Sequence, residues 1–418
     1  MERRRDVVVV GGGPIGACAA EALAAEGATV TLVERESEIA PVACGAYANC
    51  GLLVPSDSVP LASPGALGQG LRWLLDASSP FYIAPRPSPA LIRWLRLFRA
   101  AATAARVDAS MPVLRSLHVA SAGLHDTLAT SGGERWLYHH DGLVQAYEAE
   151  ASFAVALEEL ETQRRLGVPA DVLSEADVRL RYPALRGSLA GAIAYPEDGH
   201  MDPALFTRAM AARAADHGAD VRTATEVIAL EPDGAGVRLV TTRGDITADQ
   251  VVLAAGAWTP QLTEDLGLHL PIEPAKGYSV DVRRPDDFPD VPLYLGDAHV
   301  VLTPLGDRLR LGSTLELSGW DMRVRRQRVA RLREGGERVL GIPADGPVEQ
   351  LWRGPRPVTP DGLPAVGRVP RRERVIVAAG HCMLGLTLGP VTGRLVAEIA
   401  GGRPTTLDVG PLAPGRWA

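Results

Sequence analysis

Lysine and asparagine are almost missing from this chain. Of its 43 basic residues only Lys276 is a lysine, and Asn49 is the sole asparagine. A GC-rich genome drains both types, because their codons are AT-rich, so the positions that retain them stand out. Arginine is a poor substitute where a compact point charge is wanted. Both survivors sit beside glycine-bearing segments, Ala48-Asn49-Cys50-Gly51 and Pro274-Ala275-Lys276-Gly277-Tyr278; chance survival is the other reading. Cysteine is scarce as well. Cys18, Cys44, Cys50 and Cys382 have no metal-ligand spacing, so no metal site is expected. Four thiols in 418 residues suit a reducing cytoplasm. Positive charge is in deficit: a net charge of −7 leaves no basic footprint for nucleic acid. No apolar run reaches the roughly 18 residues of a spanning helix. Met1-Glu2-Arg3-Arg4-Arg5 before an apolar run imitates a signal peptide, but that run serves better as a first strand.

What is abundant is glycine after strands. Val7-Val8-Val9-Val10 runs into Gly11-Gly12-Gly13-Pro14-Ile15-Gly16, and Val375-Ile376-Val377-Ala378-Ala379 runs into Gly380-His381-Cys382-Met383-Leu384-Gly385. The first unit fits G-x-G-x-x-G. Gly11 permits the tight turn, Gly13 lets backbone approach a pyrophosphate, and Gly16 lets helix and strand pack closely. A helix over Ala17–Glu26, a second strand over Thr29–Val33 and a terminal Glu34 complete a dinucleotide fingerprint, with the acid placed for ribose hydroxyls. Arg35 invites a 2′-phosphate reading, which the Glu34 carboxylate opposes. At this length the chain is expected to form two lobes.

Residues 41–60 read as a loop crossing the nucleotide site. Leu91–Arg99 is an amphipathic helix, with Leu91, Leu95 and Phe98 on one side, suited to core packing or to a membrane surface. Further helices are expected over Ser110–Ala129, Asp171–Leu180 and Asp321–Glu334. Asp202 with Pro203 begins another. Asp198 and His200 are assigned to a turn, and Cys18 to helix packing. Strands are expected over Gly191–Tyr195, Val221–Arg222, Glu226–Leu230, a hairpin over 237–247, and a buried strand Gln250–Leu253 that ends in Ala254-Ala255-Gly256-Ala257-Trp258. Alternating segments over 278–282, 298–303 and 308–312 suggest an antiparallel sheet.

These motifs resemble the FAD-dependent amine and amino-acid oxidoreductases related to D-amino-acid dehydrogenase and glycine oxidase. The first glycine unit with Glu34, Ala48–Gly51, Val251–Trp258, Lys276–Ser279, Arg356–Pro364 and Gly380–Gly393 carry the resemblance over nearly the whole chain. It implies an α/β protein. A Rossmann-like, glutathione-reductase-like FAD lobe (1–60, 150–190, 202–270, 340–418) is interleaved with an α+β substrate lobe (61–149, 191–201, 271–339). The latter carries a mixed, largely antiparallel sheet. The implied reaction is oxidation of a C–N bond by hydride transfer from an α-carbon to flavin N5, on a D-amino acid or on a secondary amine such as proline, hydroxyproline or sarcosine. The acceptor is left open among oxygen, a quinone and a carrier protein, as are peripheral membrane contact and oligomeric state. No cysteine stands where some sarcosine oxidases attach flavin, so FAD is expected to be noncovalent. A flavin-dependent tRNA-modifying protein is a rival that the charge disfavours, and a nicotinamide enzyme would be colourless.

The expected cofactor residues are Gly11, Gly13, Pro14, Ile15, Gly16, Glu34, Arg35, Asn49, Gly51, Leu52, Val227, Ala255, Gly256, Trp258, Gly380, Met383, Leu384, Gly385, Leu386 and Thr387. Gly385–Thr387 is expected to open the last helix, with its N–H groups and dipole toward the flavin pyrimidine ring. Arg356 is the expected carboxylate ligand, because a planar fork binds carboxylate bidentately. Its alternative is a buttress for the Thr359–Gly362 turn, and Arg353 is the runner-up. His381 and Lys276 are candidates beside the ring, with backbone capping and bracing of the lobe junction as their alternatives. Tyr278 and His299 are candidate pocket walls. Met383 replaces a basic residue common in the glycine-oxidase branch, which suggests a more apolar pocket than glycine needs.

Overall fold

The computed structural model describes residues 5–64, 81–234 and 236–417. Its first sheet has six strands in the order Ala365–Val369, Arg372–Ala379, Gln250–Leu253, Asp6–Val10, Thr29–Val33, Asp220–Arg222. All neighbours are parallel except the Ala365–Val369 pair. Parallel strands covered on both faces need apolar residues throughout, and Val7, Val8 and Val9 are fully buried, each contributing about 1.5–3 kcal/mol. Helices Pro14–Ala25, Pro203–Asp216 and Gly389–Gly401 cover one face. The small sheet Val227–Asp233, Gly236–Thr241, Ile246–Ala248 covers the other.

The second sheet has nine strands. Eight follow the order Gln350–Val358, Glu273–Arg283, Arg308–Leu317, Val300–Leu305, Leu293–Leu295, Leu143–Tyr147, Gly191–Tyr195, Asp171–Leu173, and Phe81–Ile83 pairs beside Arg308–Leu317. It is mixed and mostly antiparallel.

Two stretches expected in the nucleotide lobe lie in this large sheet instead. Within 150–190, Asp171–Leu173 is a strand paired with Gly191–Tyr195. The helix starts only at Glu175, where Ser174 and Asp177 form a capping box. Gln350–Val358, expected with 340–418, pairs along Glu273–Arg283. In the other direction, helix Ala104–Ala129 packs Leu114 and Leu117 against Leu388, Val391 and Leu395 of the last helix region. The lobes therefore interleave more finely than the expected boundaries.

Local differences have local causes. Helix Arg326–Leu340 starts five residues late because Asp321 and Arg323 spend their carbonyls on Lys276. The last helix begins at Gly389, and Gly385–Thr387 is the turn before it. Gly199–His200 pairs with Leu52–Leu53, so His200 is in a short ladder, not a turn. Helix Pro89–Ala101, capped by Ser88, buries Leu91, Trp94 and Phe98. Trp94 rather than Leu95 takes the centre, and its indole N–H donates to the Val358 carbonyl at 3.0 Å, so this face is spent on the core. No helix among the described residues is long and apolar enough to cross a membrane.

Strand Glu273–Arg283 positions the site because its two faces differ. Side chains alternate along a strand. Val280 and Val282 point to the core that includes Leu332 and Val339 of helix Arg326–Leu340. Ser279 points the other way and donates to the Ala48 carbonyl at 2.6 Å.

Candidate active site

A cleft runs along the carboxyl ends of the parallel strands. Its first end is the glycine turn. A Cβ on Gly11, whose φ is +114°, would lie 2.6 Å from the Ala254 carbonyl oxygen. One on Gly16 would collide with the Gly11 carbonyl oxygen, so Gly16 is packing and does not line the cleft. Gly13 caps the helix Pro14–Ala25 without a side chain, which leaves the helix N-terminus open to an anion. Gly11, Gly13, Pro14 and Ile15 line the cleft.

Glu34 is buried at the end of its strand. Its Oε2 accepts from the Gly12 N–H at 2.7 Å and its Oε1 from the Glu36 N–H at 2.9 Å. Both oxygens keep further acceptor capacity for a diol. Arg35 lies over the Trp258 ring at 4.2 Å and Trp258 against Trp320 at 4.9 Å. Arg35, Val227, Ala255, Gly256 and Trp258 all line the cleft. Asn49 lines it too, but its side chain makes a local turn, with Oδ1 accepting from the Gly51 N–H at 2.7 Å. That contact is an Asx-type turn in the crossing loop. Gly51, at φ +70°, and Leu52 lie behind the cleft wall.

The second end is assembled from distant segments. The Cys382 N–H donates to Pro357 O at 3.0 Å, and Val358 bridges to His381, so the second glycine turn is tied to strand Gln350–Val358. Arg356, His381, Gly380, Met383, Gly385 and Leu386 line this end. His381 is buried, and burial pulls its imidazole down to about 3, so it is neutral at pH 7. One ring nitrogen bonds Thr392 Oγ1 at 3.0 Å, a side-chain contact rather than a backbone cap. Met383 is 46% exposed, an apolar wall at the mouth. Leu384 instead packs in the core under helix Ala104–Ala129. Thr387 is turned away, with its carbonyl accepting from Ser121 Oγ at 2.6 Å.

Arg356 is half-buried in this wall. Its Nη1 donates to the Thr314 carbonyl at 2.6 Å, and among the described residues no acid pairs with it. Desolvation works against its charge, which lowers its pKa. The Thr359–Gly362 turn is buttressed by another arginine: Arg416 Nε donates to Asp361 Oδ2 at 2.8 Å. Arg353 faces an outer hollow and donates to the Met322 carbonyl at 3.0 Å.

Lys276 and Tyr278 do not reach the cleft. They occupy the other face of strand Glu273–Arg283, opposite Ser279 and Gly277. Lys276 is fully buried. Its Nζ donates to the Asp321 and Arg323 carbonyls at 2.7 and 2.9 Å and lies 3.4 Å from Glu316 Oε1. Burial lowers its pKa, and Glu316 opposes that. Tyr278 donates to Glu316 Oε2 at 3.1 Å, and burial raises its phenol. Lys276 is thus a brace, where one carboxylate and two carbonyls need a compact cation. His299 also lies elsewhere, 2.9 Å from the Tyr294 hydroxyl.

Sequence reasoning missed Cys44, Gly45, Gln261, Pro355 and Pro357, which line the cleft as well. One signal was available: a Cβ on Gly45 would collide with the Pro355 carbonyl oxygen, a contact that demands glycine in the crossing loop.

The fold and cleft define a dinucleotide-dependent oxidoreductase. Residues 6–399 match the family model described as DAO, FAD dependent oxidoreductase, and the chain belongs to that family. It is 34% identical over 421 residues to a D-amino acid dehydrogenase of Paramagnetospirillum magneticum, covering 98% of each chain. It is 31% identical over 418 residues to one of Bradyrhizobium diazoefficiens, covering 99% of each. Among solved structures, glycine oxidase from Geobacillus kaustophilus superposes with a TM-score of 0.80 at 28% identity over 99% of both chains. An L-proline dehydrogenase from P. horikoshii shares the fold, with a TM-score of 0.74 at 20% identity over 100% of this chain and 98% of that one. The cofactor is FAD. The donor set fits it: an uncapped helix N-terminus for the pyrophosphate, and a buried carboxylate for the ribose.

Proposed function

We propose that this protein oxidises the Cα–N bond of D-amino acids, giving imino acids that hydrolyse to keto acids and ammonia. The observation that carries the reading is Arg356: a guanidinium in the cleft wall, without an acid partner among the described residues. A desolvated cation is costly unless an anion completes it. An amino acid's carboxylate is such an anion and takes a planar fork bidentately. The names of the curated relatives support the D-series.

FAD, when bound, supplies the two-electron acceptor for the hydride that leaves the α-carbon. Arg356 holds the carboxylate and so fixes the α-carbon relative to the cleft. His381 stays neutral and adds no second positive charge against the substrate amine. Met383 offers apolar surface to a side chain at the mouth. Gly11, Gly13 and Glu34 hold the dinucleotide. The electrons then pass to oxygen, a quinone or a carrier protein.

The test is anaerobic bleaching of the flavin spectrum by D-amino acids, L-amino acids, glycine, sarcosine, and D- and L-proline with their hydroxylated forms. Bleaching by the D-series, followed by slow or fast recovery in air, supports the reading and separates dehydrogenase from oxidase. A yellow protein that no member of the panel bleaches would sink it.

A further inference from the structure

The cleft arginine is held by a defect in the large sheet. Strands Glu273–Arg283 and Arg308–Leu317 are paired at Lys276 with Glu316, but Tyr278 is paired with Ser313. Two steps on one strand therefore face three on the other, a β-bulge at Thr314–Leu315 opposite Gly277. Bulges re-aim groups beside active sites. Thr314 sits at φ +71°, a region that β-branched residues rarely adopt. Its Oγ1 is buried and has no hydrogen-bond partner among the described residues. What the conformation does supply is its carbonyl, 2.6 Å from Arg356 Nη1.

Gly277 completes the arrangement. Ala275 pairs with Arg356 across the sheet, so Gly277 is the next residue on the same face. A Cβ built there would fall on the guanidinium, 2.6 Å from Nη2 and closer to Cζ and Nη1. The guanidinium thus occupies the space a side chain would fill. One N–H of Nη1 is spent on Thr314, and Nη2 is left for a carboxylate.

We propose that the Gly277–Thr314 bulge is a positioning device that aims the Arg356 guanidinium at the substrate carboxylate, with Gly277 providing its bed and the Thr314 carbonyl its anchor. This rests on the carboxylate reading of Arg356. Gly277 and Thr314 act through Arg356, so their effects vanish when it is gone.

The experiment is a double-mutant cycle on the FAD-loaded protein, with steady-state oxidation of D-alanine and D-proline, coupled to an artificial dye as electron acceptor, as readout. Gly277→Ala is expected to keep FAD, to raise KM at least about tenfold and to change kcat less than about threefold, the pattern of lost substrate binding. In an Arg356→Ala background the same change is expected to add less than about twofold, because coupled residues are non-additive. A full additional effect in that background would overturn the inference, as would an unchanged KM in Gly277→Ala when Arg356→Ala raises it. An unchanged KM in Arg356→Ala itself would instead remove the carboxylate reading. Should Gly277→Ala fail to retain FAD, Thr314→Gly decides. It keeps the carbonyl and tolerates positive φ, so KM is expected within about twofold of the parent; a tenfold rise would show that the side chain matters and contradict the backbone anchor.

Discussion

The Glu34 end of the cleft and the Arg356 end are built in different ways. At the first, glycine turn, helix and acid come from one stretch of sequence, Asp6–Glu34, and their contacts are mostly backbone to backbone or backbone to carboxylate. At the second, Arg356 from strand Gln350–Val358 lies over Gly277, is anchored by Thr314, and is tied to the His381 turn through Pro357 and Val358. The first end is local and fixed by turn geometry. The second exists only when the large sheet has closed in register. Damage to the first should therefore cost the cofactor, and damage to the second should cost substrate while the cofactor stays.

The largest effect should come from Gly16→Val. Its side chain has no room against the Gly11 carbonyl, and the variant should be recovered without FAD or not folded, as read by the visible spectrum of the purified protein. Next is Lys276→Met, which strands part of the buried Glu316 cluster and should cost about 3 kcal/mol of stability. A lower Tm with an unchanged KM would match its place on the far face; a KM shift with an unchanged Tm would return Lys276 to the cleft. Glu34→Ala should weaken FAD retention by roughly tenfold, on the order of one charged hydrogen bond, and leave KM of the reloaded protein alone.

Acid should also separate the ends. Burial pulls His118 to about 3, His125 to about 4, and His200 and His381 to about 3. Each folded value lies below the unfolded one near 6.5. The unfolded chain then binds more protons in between, so this stability is complete above about 6.5 and is lost as pH falls toward those values. Asp57 and Asp198, raised by burial to about 6 and about 7, act in the opposite sense. His299, also lowered by burial, joins the four histidines, while Glu159 and His140, both raised, join the aspartates; the four large histidine shifts outweigh the rest, so Tm should drop between pH 7 and 5. His125 bonds the Leu386 and Thr387 carbonyls and His381 lines the second end, and both gain a proton in the folded protein only near pH 4 to 3, so flavin reduction by substrate should fail there before FAD is released. Stopped-flow reduction and FAD fluorescence across that range would show the order. The smallest effect belongs to Arg353→Ala, less than about threefold in KM, because its side chain faces the outer hollow.

The same contrast explains what was legible in the sequence. The G-x-G-x-x-G turn, Glu34 and Ala254–Trp258 could be read because strand, turn and helix follow one another within a few residues. Arg356 was found through a motif, yet its anchor was not, since a bulge opposite Gly277 depends on how strands Glu273–Arg283 and Arg308–Leu317 come to pair. Lys276 and Tyr278 were placed at the cleft by their company in the sequence, and strand alternation put them on the opposite face. Rarity drew attention to Lys276 and Asn49, and the contacts they make are a brace and a local turn. Short segments were the other weakness. Asp171–Leu173 looks like the start of the helix that follows, and only its partner Gly191–Tyr195 makes it a strand.

The most direct test of the account compares one D-amino acid with its carboxamide. The two differ only in whether they carry the charge that Arg356 is assigned to hold. With the parent protein, D-alanine should bleach the flavin anaerobically at concentrations at least about a hundredfold lower than D-alaninamide, the scale of a buried charge-assisted pair. In Arg356→Ala that preference should collapse. Equal bleaching by acid and amide in the parent, or a preference that survives loss of Arg356, would contradict the account.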